Sequence, residues 1–222
     1  TLEKFEKETV GLIIDQDFNC GGSIVYLLKI IALLMDKPFE APSFEFRASK
    51  DQINGMQNYV SEFQTNTPAY LRFTSIIHGI KVAYNNNQFS TQKIPFRGFF
   101  EHKLLLKGDD LIEPETNHYT KPIVITINEM SGSGGDVFPA LLKSYGRATL
   151  AGMKTMGAGG HLWNDPHLEL KNSKISVHLT RSLIYRPHGA TIENNGANPD
   201  IFLSESKIDL KNGYSNYFNQ VI

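Results

Sequence analysis

The chain has a single cysteine, Cys20, in 222 residues, so no intrachain disulfide can form. That leaves the compartment open, because exported proteins need not carry disulfides. It has no excess of charge: 22 Lys and Arg stand against 23 Asp and Glu, for a net −1. This removes the electrostatic case for binding nucleic acid or an anionic membrane. It has no long apolar run. The longest, Ile24 to Met35, contains Lys29 and is too short to span a bilayer. Repeats and low-complexity tracts are absent. No signal peptide is visible, but the chain opens at Thr1 without Met and reads as a fragment of a larger precursor, so that absence excludes nothing. The seven histidines are His78, His102, His118, His161, His167, His178 and His188. No two have metal-ligand spacing on a recognisable helix, so neither a zinc site nor another cofactor is expected. The length suits one α/β domain, or one with a small insertion.

What the chain does have is organised around residues 121–160, KPIVITINEMSGSGGDVFPALLKSYGRATLAGMKTMGAGG. The β-branched run Ile123 to Ile127 reads as a short buried strand. Ser131-Gly132-Ser133-Gly134-Gly135-Asp136 follows. An amphipathic helix comes next, with Val137, Phe138, Leu141 and Leu142 on one face. Strand, small-residue turn and helix together present a serine hydroxyl at the carboxyl end of a sheet, with helix-start N–H groups aimed at the same spot.

Taken in order, residues 1–8 read as the end of a helix, and Thr9 to Ile14 as a second buried strand. This strand ends in Asp15-Gln16-Asp17-Phe18-Asn19-Cys20-Gly21-Gly22-Ser23, with Ser23 able to cap the next helix. Two strand–Gly-turn–helix units far apart in sequence argue a parallel sheet with its site at the strands' carboxyl ends. Residues 38–47 read as extended, and about 50–90 as a helical insertion of core or lid helices. Arg97 to Leu106 reads as strand or loop. Arg147 to Gly152 is a short strand, Gly157-Ala158-Gly159-Gly160 a turn, Ile175 to Tyr185 a strand and Arg186 to Asp200 a loop. Lys211 to Ile222 forms a closing helix, with Tyr214, Tyr217 and Phe218 packing inward.

Three motifs then carry a resemblance: the Asp15–Ser23 turn, the SGSGGD block followed by YGRATLAG, and NNGANPDI ending at Ile201. In this order they are similar to the tail-specific, or C-terminal-processing, serine protease family, from about Thr9 to Phe202. The resemblance implies a crotonase/ClpP-like α/β core with a mainly parallel sheet, a polypeptide substrate, and secretion or a periplasmic location. Many members use a Ser–Lys dyad. Here Ala158 stands at the lysine position, and Lys154 lies off the motif and reads as a solvated side chain. The GAGG turn and HGATIENNG resemble more closely the chlamydial protease-like activity factor branch, which implies a Ser–His–Glu triad. The matching serine is Ser133 and the matching glutamate Glu193. The branch's histidine lies N-terminal to the position of Thr1, so the missing N-terminal region of the same precursor would be a partner, and a homodimer is compatible with the reading.

A serine hydroxyl needs a base within about 3 Å, and a carboxylate holds that base's imidazole in place. Oxyanion donors on this reading are the N–H groups of Gly134 and of Gly22 or Gly21. Ser131 is an alternative nucleophile and His188 an alternative base. Asp136 is expected to cap the helix or pair locally, and Cys20 to be a buried structural thiol. Two other functions stay open: a non-catalytic peptide-binding relative of the same fold, and a crotonase-type acyl-CoA enzyme.

Overall fold

A computed structural model describes residues 2–95, 111–162, 169–176, 179–187 and 189–221. The strand or loop read at Arg97 to Leu106, and His102, His167, His178 and His188, lie outside the described residues. Helix α1 (Leu2–Glu8) leads into strand β1 (Leu12–Asp15) and helix α2 (Ile24–Leu34). Short strands β2 (Phe39–Glu40) and β3 (Ser43–Phe46) precede two helices, α3 (Lys50–Ser61) and α4 (Pro68–Asn85). Strands β4 (Ile94–Pro95) and β5 (Leu111–Ile112) come before the central unit of β6 (Ile123–Ile127), α5 (Gly134–Ser144) and β7 (Thr149–Gly152). The chain closes with β8 (Gly160–Leu162), β9 (Thr180–Tyr185), β10 (Ile201–Phe202), α6 (Lys207–Lys211) and α7 (Ser215–Asn219).

The expected parallel sheet is present, in the order β1-β6-β7-β10. Leu12 pairs with Ile123 and Asp15 with Thr126, so β1 and β6 end almost level and their turns emerge side by side. A second sheet, β4-β3-β9-β8, is antiparallel and pairs Ser43 with Tyr185. Helices α2 and α5 pack on each other, and α5 on β7. Val137, Phe138, Leu141 and Leu142 are buried, as their spacing predicts. The 50–90 helices belong to the core, because Ile53, Met56, Val60, Phe73 and Ile76 join its apolar cluster. Among the described residues no helix is long and apolar enough to cross a membrane.

Boundaries move for local reasons. The strand expected from Thr9 starts at Leu12, because the Thr9 N–H still bonds the Phe5 carbonyl at 3.0 Å and prolongs the α1 turn. The tail is two helices rather than one. Ser206 and Asp209 form a capping box that starts α6 early, and Gly213 and Tyr214, both at φ +61°, break the chain before α7. Tyr217 is buried as expected, while Tyr214 and Phe218 are half-buried.

Tyr217 packs the tail against Asp17, in the loop after β1. Burial pushes the Asp17 carboxyl up to about 7, the Asp15 and Glu205 carboxylates add to this, and hydroxyl donors Tyr217 and Thr126 oppose it. Its Oδ1 is buried without a partner among the described residues. The folded protein therefore holds this proton to a higher pH than the unfolded chain, whose aspartates titrate near about 4. Stability from this group is full below about pH 4 and is lost as pH rises through about 7. Asp17→Asn, neutral at every pH, is expected to raise the Tm relative to wild type at pH 8 and hardly at pH 4. An equal difference at both pH values in thermal melts would show that the Asp17 charge is not the cause.

Candidate active site

The turn after β6 places Ser133 at φ 57° and ψ −118°, outside the regions ordinary L-residues occupy. Its side chain makes no capping hydrogen bond to the helix it precedes, and the residue is exposed. A sharp strand-to-helix turn of this kind lifts a hydroxyl clear of the backbone. Its N–H donates to the Ala158 carbonyl at 3.1 Å. Ser131 is fully buried, and its Oγ donates to the Gln16 carbonyl at 3.1 Å and to Asn128 Oδ1 at 3.2 Å. It holds the turn and does not face the site.

The other glycine turn lies directly against this one. A Cβ on Gly134 would lie 3.1 Å from Gly21 Cα and 3.2 Å from the Gly22 nitrogen. One on Gly135 would lie 2.0 Å from the Asn19 carbonyl oxygen, so glycine is required there. The Gly132 N–H donates to that same oxygen at 2.9 Å, and the Phe18 N–H to Asn128 Oδ1 at 3.0 Å. Pro139 sits inside α5. It has no N–H for the Gly135 carbonyl four residues earlier. Buried Gln16 supplies the donor instead, with Nε2 3.1 Å from that oxygen. The Gly21 N–H is committed to Asn19 Oδ1 at 2.9 Å. The N–H groups of Gly22 and Gly134 find no acceptor among the described residues.

Glu193 reaches the same place from the loop after β9. Ile192 donates to the Ile184 carbonyl at 2.8 Å, and Asn194 to the Gly157 carbonyl at 2.7 Å. Gly159 and Gly160 let this loop close: Cβ atoms on them would meet Ile192 Cγ2 at 2.3 Å and Glu193 Oε2 at 2.9 Å. Oε1 accepts a long bond from Thr180 Oγ1 at 3.4 Å, while Oε2 is buried without a partner among the described residues. Ser133, Gly134, Gly22, Ala158 and Glu193 line one cavity of about 450 Å³, whose apolar wall includes Leu27, Phe44 and Ile184. Gly21, Gly22 and Gly134 also border an adjoining apolar groove of about 390 Å³ beside Tyr26 and Ile30.

Several expectations change here. Cys20 is exposed, not buried, because the loop turns its backbone, not that side chain, toward α5. Ser23 begins α2 without a capping hydrogen bond from its side chain. Asp136 neither caps α5 nor forms an ion pair among the described residues. Fully buried, it accepts from Thr155 Oγ1, from Gly157 N at 2.8 Å and from Ala158 N at 2.9 Å. Its partners lie 19 to 22 residues downstream, so no local pattern marks it. Lys154 is exposed and does not line the cavity, and neither do His78 and His118. Among the described residues no cluster of three His, Cys, Asp or Glu is arranged for a metal.

The family model "Peptidase family S41" matches residues 1–203. A protein of Chlamydia trachomatis is 33% identical over 233 residues, covering 99% of this chain and 39% of its own length. The carboxy-terminal-processing protease of Bartonella bacilliformis is 31% identical over 94 residues, 42% of this chain and 21% of that protein. A structure of mature CPAF complexed with lactacystin is 30% identical, with TM-score 0.74, covering 99% of this chain and 44% of that one. The chain thus spans about two fifths of the length of the relatives it matches across its whole extent.

The link between the two turns is testable by stability. Gln16→Leu leaves the Gly135 carbonyl without a donor, and it is expected to cost about 1–3 kcal/mol in urea unfolding. In a Pro139→Ala background residue 139 regains the N–H that can take this carbonyl, so the same substitution is expected to cost clearly less. Equal losses in both backgrounds would show that Gln16 does not serve the bond that Pro139 leaves open.

Proposed function

Because the chain belongs to peptidase family S41, we propose that it is the catalytic-core part of a serine endopeptidase that cleaves polypeptides through an acyl-enzyme on Ser133. The observation that carries this reading is the shared cavity. Exposed Ser133, Glu193, Gly22 and Gly134 all border it, Glu193 Oε2 has no partner among the described residues, and the N–H groups of the two glycines are uncommitted there. Ser133 Oγ attacks the substrate carbonyl as a histidine removes its proton. The carbonyl oxygen, now negative, is held by the N–H groups of Gly134 and Gly22, each worth about 3–4 kcal/mol of barrier. Gly21 N–H, already bound to Asn19, fits that role less well. The protonated imidazole then passes its proton to the leaving amine, and water releases the acyl group by the reverse sequence.

Glu193 takes the third part. A buried carboxylate oxygen without a donor costs about 1–3 kcal/mol or more, and an imidazole N–H would satisfy it while fixing the ring's tautomer. On this reading the base lies in a segment that precedes Thr1 in the parent protein, as the resemblance to the Ser–His–Glu branch implies. The relatives are more than twice as long as this chain, which leaves room for one. The same reading makes that segment a partner, puts the protein in the periplasm or outside the cell, and is compatible with a homodimer. Ala158, where many family members carry the dyad lysine, favours a second reading, a peptide-binding relative without catalysis.

The test uses the full-length parent protein. Wild type is expected to react with a fluorophosphonate and to cleave unfolded casein, and Ser133→Ala to do neither. Glu193→Gln is expected to lower kcat by on the order of 10⁴, the loss that follows a wrongly held imidazole. Identical behaviour of wild type and Ser133→Ala would overturn the protease reading, and no labelling in either would favour the peptide-binding relative. The wall of Leu27, Phe44 and Ile184 also predicts a preference. Peptides with an apolar residue next to the scissile carbonyl are expected to be cut about tenfold or more faster than those with aspartate there, and equal kcat/KM values would contradict it.

A further inference from the structure

We propose that Asp136 is a positioning residue that sets the nucleophile and Glu193 in register through the loop they share. The inference rests on the protease reading and concerns a residue that would touch neither substrate nor base. The loop 155–158 runs between the two functional turns and bonds to both. On one side, the Ala158 carbonyl accepts the Ser133 N–H at 3.1 Å and the Ser131 carbonyl accepts the Met156 N–H at 2.8 Å. On the other side, the Gly157 carbonyl accepts the Asn194 N–H, next to Glu193, at 2.7 Å. The loop carries no regular structure, so its own backbone does not fix its position. Asp136 does so from the first turn of α5. One carboxylate oxygen accepts from Thr155 Oγ1 and Gly157 N, and the other from Ala158 N. Thr155 Oγ1 in turn accepts from Ala197 N at 2.7 Å, which ties in the loop leading to β10.

The arrangement asks specifically for a carboxylate. Three donors converge on two oxygens, so a group with no hydrogens of its own is needed. In Asp136→Asn the amide nitrogen must face either Ala158 N–H or the pair Thr155 and Gly157, whichever way the side chain is turned. One arm of the latch is then lost with almost no change in volume. Ala158 and Gly157 are the residues whose carbonyls hold Ser133 and Asn194, so release of either arm shifts the hydroxyl relative to Glu193. A misplacement of about 1 Å at reacting groups costs on the order of 100-fold in rate.

The experiment compares wild type, Asp136→Asn, Thr155→Val and Thr155→Ser in the full-length protein, with Ser133→Ala as the control for the protease reading. Asp136→Asn and Thr155→Val are expected to lower kcat and the fluorophosphonate labelling rate by about 100-fold, with KM within about twofold. Thr155→Ser keeps the hydroxyl and is expected to stay near wild type. Amide hydrogen exchange supplies a readout independent of activity. Asp136→Asn is expected to speed exchange at Ser133 and Asn194 while leaving Ile125 in β6 unchanged. Wild-type kcat in Asp136→Asn, or failure of the serine to restore what the valine loses, would overturn the inference. So would exchange that rises equally across the sheet, which marks general unfolding. If Ser133→Ala matches wild type, it is the protease reading that falls, and the exchange pattern alone then decides whether Asp136 ties the two turns together.

Discussion

The absence of a side chain at Gly135 is the constraint on which the site depends. With a Cβ there 2.0 Å from the Asn19 carbonyl oxygen, no other residue allows α5 to start beside the loop after β1. Close approach puts three backbone groups and one side-chain amide within reach of one another. The Asn19 carbonyl takes the Gly132 N–H, and the Gly135 carbonyl, deprived of its helix donor by Pro139, takes Gln16. Two elements 119 residues apart in sequence are thus joined by direct hydrogen bonds rather than by side-chain packing alone. The parallel register of β1 on β6 brings the two turns to the same level, and the glycines then let them touch.

The strain at Ser133 is held by that same construction. A serine at positive φ costs about 1–3 kcal/mol, and nothing local offsets it, since the side chain forms no cap. The offset comes from both sides of the residue. Upstream, Ser131 is tied to the Gln16 carbonyl and Asn128. Downstream, α5 buries Val137, Leu141 and Leu142 almost completely, at about 1.5–3 kcal/mol for each side chain. Ser133 is the exposed residue between two fixed segments, so its hydroxyl stays at the cavity while its neighbours are withdrawn from it.

Local patterns carried the central unit well. Five β-branched residues, a Gly/Ser turn and an amphipathic helix gave β6 and α5 their places, and both are found where the periodicity put them. What depended on distant partners was not legible. The antiparallel sheet joins Ser43 to Tyr185, a pairing no local window contains. Gly21 and Gly22 are equivalent as letters, and only the Asn19 side chain separates them by taking one N–H. Cys20 followed the tendency of free cysteines to be buried, yet the loop exposes it. Asp136 stood in the first turn of a helix, where an acid commonly serves the helix dipole, and its partners lay across the fold instead.

Position 158 ties the two halves of the site together. Ala158 has its N–H on Asp136 and its carbonyl on the Ser133 N–H, while its short side chain borders the cavity beside Glu193. A lysine at this position would send an ammonium group into the cavity that Glu193 also borders. The buried carboxylate would pair with it, and a paired, protonated amine is a poor base. Alanine leaves the volume free and the carboxylate oxygen available to another donor. An acidic residue at 193 and a small one at 158 are therefore coupled choices: each makes sense only with the other. Together they leave room beside the carboxylate that a lysine carried by the loop itself would fill.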